Sequence, residues 1–146
     1  MIILQFHLTK YMKLLFSSLL LFVMVSSCFN NNEKRPTTAT ETGTAFIRAT
    51  LDGNFKNAET LLYKDDQNIA MFESYKTFYK RLPAEKKEAY QKASYTINTL
   101  TDLNDSTSII NYSNSYMKQP MDIKVIRKDK VWSIDFKYTS ADSTSN

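Results

Sequence analysis

The sequence predicts an α+β domain in which N-terminal helices pack on one face of a four-stranded antiparallel sheet. Three observations predict it. Apolar residues between Ala45 and Leu82 recur at helical spacing, and from Tyr95 to Tyr138 they alternate with polar ones. The breaks between segments fall at stop signals, namely Asp52-Gly53, Pro83 and the polar run 127–130. Helices followed by strands give α+β rather than an alternating parallel fold.

The elements follow in order. Ala45, Phe46, Ala49 and Thr50 share a face of a short helix that Asp52-Gly53 stops. Asn54 can cap a second helix, whose Phe55, Ala58, Leu61 and Leu62 lie together. A third begins after "DDQN" and sets Met71, Tyr75, Phe78 and Leu82 on one stripe. Pro83 closes it and opens a short helix over "PAEKKEAYQKA". In the first strand Tyr95, Ile97 and Leu103 share one parity. Ile110, Tyr112 and Tyr116 share another face, opposite Asn111, Ser113 and Ser115. Met121, Ile123 and Val125 follow, and the last strand sets Trp132, Ile134, Phe136 and Tyr138 against Ser133, Asp135 and Lys137. Such alternation marks a sheet with one covered face. "RKDK" at 127–130 is the tip of the last hairpin.

Ahead of this domain, placed at residues 42–138, stands a different kind of sequence. From Met12 the chain reads "MKLLFSSLLLFVMVSSC": one lysine, then mostly apolar residues from Leu14 to Val25, then two serines and the single cysteine, Cys28. The apolar run is too short for the roughly 20 residues of a membrane-spanning helix and fits the core of a secretory signal. Residues 1–27 are therefore expected to be a signal peptide, with Met12 as the start. An ordinary secretory signal and a single apolar anchor helix are the alternatives.

"VSSC" resembles the lipobox of bacterial lipoprotein signal peptides, with Val25 in place of the more usual leucine. The resemblance implies diacylglyceryl attachment to the Cys28 sulfur, cleavage between Ser27 and Cys28, and acylation (palmitate or a similar chain) of the new amino group. Several acyl chains make release from a bilayer negligible, since each buried methylene adds about 0.8 kcal/mol. Residues 28–41, with "FNNNEKRPTTATET" after the cysteine, have almost no aliphatic content and are expected to be a flexible tether. Phe29 is not the aspartate that retains many such proteins in the inner membrane, so the cell envelope and its outer membrane are the expected location. The polar tail, residues 139–146, is expected to be disordered.

The domain itself resembles small bacterial lipoproteins carrying a nuclear-transport-factor-like (cystatin-like) domain of unassigned function. The features that carry the likeness are the lipobox, "AFIRATLDGNFKNAETLL", an aromatic helix, and four strands ending in "VIRKDKVWSIDF". Asp129 stands where that ending usually has a glycine, and Val131 intervenes before Trp132. The resemblance implies a curved, cone-like sheet, a fold that hosts isomerases, dehydratases and pure binding modules alike.

The residue inventory narrows the chemistry. With one cysteine and one histidine, His7, the chain can form neither an internal disulfide nor a Cys/His metal cluster. Two glycines leave no phosphate-cradling loop, and no cofactor or metal is expected. A net charge of +4, spread along the chain, excludes a nucleic-acid footprint. Asp102, Asp122 and Asp135 have the parity opposite their strands' apolar residues and should face water, which argues against an isomerase- or hydratase-like enzyme.

Tyr75, Phe78, Tyr79, Tyr112, Tyr116 and Trp132 are the candidate lining of a pocket for a small apolar or planar ligand. The alternative is that they fill the core. A sheet face used for an envelope protein partner is the other binding expectation. Lys80, Arg81, Lys86, Lys87 and Lys92, and separately Lys124, Arg127, Lys128 and Lys130, form basic groups that acids interrupt, reading best as solvated faces. Two "DST" triplets resemble a bacterial O-glycosylation acceptor and make Ser106 and Ser143 candidate acceptors.

Overall fold

The computed structural model describes residues 34–138, and a compact unit begins at Arg35. Four helices, α1 (Ala39–Leu51), α2 (Phe55–Thr60), α3 (Asp66–Arg81) and α4 (Ala84–Gln91), precede four strands. The strands, β1 (Tyr95–Asn104), β2 (Thr107–Asn114), β3 (Pro120–Lys128) and β4 (Val131–Ile134), pair antiparallel in the order β1-β2-β3-β4. The α+β architecture is that expected from the sequence.

Helix α1 starts three residues ahead of the expected boundary at Thr42, inside the stretch expected to be tether. Thr38 and Glu41 form a capping box: Thr38 Oγ1 accepts from the Glu41 N–H at 3.1 Å, and Glu41 Oε2 accepts from the Thr38 N–H at 3.3 Å. Hydrogen bonds from the backbone and side chain of Thr37, with those of Thr38, hold the Glu41 carboxyl below its ordinary range. Two orphan amides are thus satisfied locally, and that fixes the start without any apolar content.

The other end of α1 stops at a Schellman turn. Gly53, with φ 70°, donates to the Thr50 carbonyl at 3.1 Å, and Asn54 donates to that of Ala49 at 2.8 Å. Arg48 then ties α1 to the end of α4, donating to the carbonyls of Ala93 (3.0 Å) and Gln91 (3.2 Å). Between these ends α1 lies across β2, β3 and β4. Gly43 makes that approach possible, because a Cβ there would run into the Ile110 side chain, which is wholly buried.

Asp65 caps α3, accepting from the Asn68 N–H at 2.7 Å, so this helix also begins earlier than expected. Its inward stripe is Asn68, Phe72 and Tyr79, flanked by half-buried Met71, Tyr75 and Leu82. Phe78 is 55 % exposed, a correction to the expected stripe. Positions 68, 72, 75, 79 and 82 follow the helical period, and Phe78 lies about 100° around from Tyr79. Phe46, Phe72 and Phe136 meet at the core, with ring centroids 5.3 to 6.0 Å apart.

The first strand departs from simple alternation. Ile97 faces Tyr112 and Thr99 faces Asn111, which leaves Asn98 as an extra residue; a second irregularity falls between Asp102 and Asn104. The Asn98 amide bridges Asn111 (2.8 Å) and Ser113 (2.9 Å) across the sheet. After this bulge the parity flips. Leu100, opposite Ile110, takes the helix-covered side, and Leu103 is left 59 % exposed.

The last strand is shorter than expected, because β4 ends at Ile134 and residues 136–138 are helical. Its outer edge is taken by the segment between α2 and α3. Ile134 donates to the Leu61 carbonyl at 2.8 Å, and Tyr63 donates to that of Ile134 at 2.9 Å, a parallel bridge. Among the described residues edge β1 has no such cover, and seven consecutive residues from Asn98 to Asn104 are exposed.

Candidate functional site

The six aromatic residues expected to line one pocket separate into three places. Tyr75, Tyr79, Tyr112 and Tyr116 belong to one packed cluster completed by Phe55 and Tyr90. Phe55 meets Tyr75 and Tyr79 edge-on at 5.7 and 4.9 Å, Tyr79 meets Tyr90 at 5.8 Å, and Tyr90 lies 4.2 Å from Tyr116. Burial, with smaller contributions from neighbouring tyrosines, pushes the Tyr75 and Tyr112 hydroxyls well above their ordinary value. They stay protonated at neutral pH. Tyr79 places its hydroxyl against Gly53 with no hydrogen-bond partner among the described residues, the nearby Gln91 amide being turned to the Asp52 carbonyl at 3.3 Å. Ring-on-ring packing makes this cluster core rather than lining.

Phe78 stands on the outer side of α3, among Glu73, Ser74, Thr77 and Arg81. All five come from one helix, so this is the helix's own surface and not a cavity between elements. Trp132 is the exception among the six. It lines an open groove of about 580 Å³ between the start of α1 (Thr37 to Thr40) and the adjacent end of the sheet, where Leu100, Asp102, Ser108 and Arg127 face it. The Arg127 guanidinium lies 5.2 Å from the Trp132 ring centre. Leu100 is 45 % exposed, leaving an apolar patch beside the indole.

The three strand carboxylates do not behave alike. Asp122 lies on the outer face, as expected, hydrogen-bonded to the Asn111 amide at 2.5 Å. Asp102 is exposed, as expected, but on the other face: the bulge at Asn98 turns it onto the helix side, where it lines the groove and accepts from Ser108 Oγ at 2.6 Å. Asp135 is a correction. It is 5 % exposed, because the chain leaves the strand at Ile134 and folds the carboxylate beneath Lys124 (3.4 Å) and Lys137 (3.5 Å). Lys137 also pairs with Asp65 at 2.8 Å. Nothing in the alternation announced this network; only Asp65, just ahead of α3, could have hinted at its capping end.

The basic groups are spread among partners. Lys92 pairs with Glu88, Lys87 Nζ donates to the Lys80 carbonyl, and Lys128 Nζ donates to the Tyr63 hydroxyl at 2.9 Å. Ser106 is exposed at the β1–β2 turn, its hydroxyl donating to Asn104 Oδ1 at 2.9 Å. Ser27, Cys28 and Ser143 lie outside the described residues. Among the described residues no helix is long and apolar enough to cross a membrane. Comparisons of the chain with family models, with curated proteins and with solved structures each found no match.

Proposed function

We propose that the chain is a cell-envelope lipoprotein, held at the outer membrane by lipid on Cys28, whose domain acts by non-catalytic binding of a small ligand with a flat apolar face. One observation carries the reading: an apolar signal core, Ser26-Ser27 and Cys28 are followed closely by a compact unit that begins at Arg35. Likeness to nuclear-transport-factor-like lipoproteins belongs to the same proposal, and the order of helices followed by an antiparallel meander supports it. The groove against Trp132 and Leu100 takes the place of the tyrosine pocket as the ligand site, because the tyrosines are packed against one another. Two features support binding without catalysis. His7 and Cys28 both precede the domain, and Asp102, Asp122 and Asp135 are engaged by Ser108, Asn111 and the lysine pair.

The test of the anchor is Cys28→Ala with labelled palmitate. Loss of label and of the processed, membrane-bound form is the expected result; a variant still processed and membrane-bound would sink it. Native purification with mass spectrometry of co-purifying small molecules tests the ligand. A second reading, a partner protein docking along the sheet, is favoured by the uncovered β1 edge with its exposed Leu100 and Leu103.

A further inference from the structure

The hairpin between β3 and β4 departs from local preference at its tip. Lys128 pairs with Val131, which leaves a two-residue turn, and both of its residues have positive φ: 51° at Asp129 and 65° at Lys130. Such turns favour glycine at the second position, since a lysine Cβ crowds the backbone there. The chain nevertheless holds a cation at this point. Arg127 and Lys128 flank it, all three are exposed, and Val131 beside them is 38 % exposed. The Arg127 N–H donates to the Ser106 carbonyl at 2.7 Å, so the neighbouring β1–β2 turn ends level with Arg127 and residues 128–131 extend past it. Asp129 is the one acid on that projection, with Asp102 and Asp105 set back in the groove.

The chain enters the domain at the same place. Arg35 opens the compact unit, and its Nη2 lies 3.5 Å from Ser133 Oγ on β4. Along the strand Ser133 is roughly 10 Å from Lys130. The peptide steps from Cys28 to Arg35 reach roughly 25 Å at most. A bilayer holding Cys28 is therefore within reach of this hairpin.

We propose that the hairpin tip, Arg127 to Trp132, is a second, electrostatic contact with anionic phospholipid in the bilayer that holds Cys28. This rests on the lipoprotein reading above. Arg127 and Lys130 meet headgroup phosphates, Lys128 adds its charge from where the Tyr63 hydroxyl holds its Nζ, and Val131 reaches the interfacial layer, with the Trp132 indole in the groove close behind the tip. The contact orients the domain relative to the bilayer.

Trp132 is the only tryptophan of the chain and so reports on its own hairpin. The mature lipidated protein is reconstituted in phosphatidylcholine vesicles, with or without phosphatidylglycerol, each carrying a headgroup nitroxide lipid. Expected is stronger Trp132 quenching in the anionic vesicles, reversed by salt. Replacing Arg127, Lys128 and Lys130 together by glutamine lowers the ratio of docked to free domain roughly a hundredfold. Lys130→Gly, which relieves the turn and keeps the fold, lowers it roughly fivefold. Equal quenching in both vesicle types, or quenching unchanged in the triple variant, overturns the proposal. Flotation of the same samples separates the two readings. Protein that floats without charge-dependent quenching refutes the hairpin contact alone, and protein that fails to float refutes the anchor and the contact together.

Discussion

Gly43→Ala is the sharpest probe of how the two layers meet. In an exposed helix this change stabilises by about 1 kcal/mol, because alanine has less backbone freedom to lose on folding. Here the new methyl would overlap the δ-carbon of Ile110, and Val125 Cγ2 lies only 3.7 Å away. Ile110 has no exposed surface into which its side chain can swing. Overpacking costs about 1–3 kcal/mol, and an overlap this deep with a wholly buried side chain lies at the upper end, so the net loss is about 1–2 kcal/mol. For a domain of this size that lowers Tm by roughly 5–10 °C. Ile110→Val removes the clashing carbon and alone costs about 1 kcal/mol. Combined with Gly43→Ala it should cost less than the two changes summed, with a coupling of at least about 1 kcal/mol. Urea unfolding followed by Trp132 emission and by circular dichroism measures all four corners of the cycle. A stabilising Gly43→Ala, or strict additivity with Ile110→Val, would refute the close approach of α1 to β2.

Three further outcomes follow from other parts of the molecule. Lys130→Gly should stabilise the domain by about 1 kcal/mol in the same urea assay, since glycine adopts the positive φ without strain. Phe72→Ala should cost about 3–5 kcal/mol, whereas Phe78→Ala, on the exposed side of the same helix, should stay within about 0.5 kcal/mol. Asp65, through the Asn68 N–H first and Lys137 second, has its folded carboxyl held below the ordinary value of 3.8. Its contribution is therefore complete above that value and is lost as pH falls through the folded one. Acid unfolding of Asp65→Asn should show a shallower loss of stability below about pH 4 than the parent, and identical slopes would remove the assignment.

The order and class of the elements were legible because each rests on local chemistry. Asp52-Gly53 stops α1 through a Schellman turn, Asn54 and Pro83 open helices, and alternation marks β2 and β3. The start of α1 was equally local, since Thr38 and Glu41 stand at the capping-box spacing; low apolar content masked it as tether. Parity in β1 was not legible. A bulge is one residue too many in a pairing, and nothing in "YTINTLTDLN" says which residue lacks a partner until β2 is beside it. That single unpaired Asn98 moved Asp102 into the groove and Leu103 out of the core. The candidate pocket failed for a related reason. Aromatic residues on one parity or one helical stripe can be lining or filling, and only the meeting of Phe55 and Tyr90 with the four tyrosines decides between them. Trp132 had no such neighbours in its hairpin and kept an open side.

The bridge between Leu62 and Ile134 has a consequence for the order of events in the life of the chain. The last strand is gripped on one edge by β3 and on the other by a segment laid down some 70 residues earlier. Until β4 (Val131–Ile134) is made, the helical half has no edge to close against and the sheet lacks its terminal strand. Folding of the domain is thereby tied to the arrival of β4, because so distant a pairing is slow to form and is rewarded only once both edges meet. The same stitch makes the Tyr63 and Ile134 amides the ones to watch by hydrogen exchange, since they can open only when both halves of the domain come apart together.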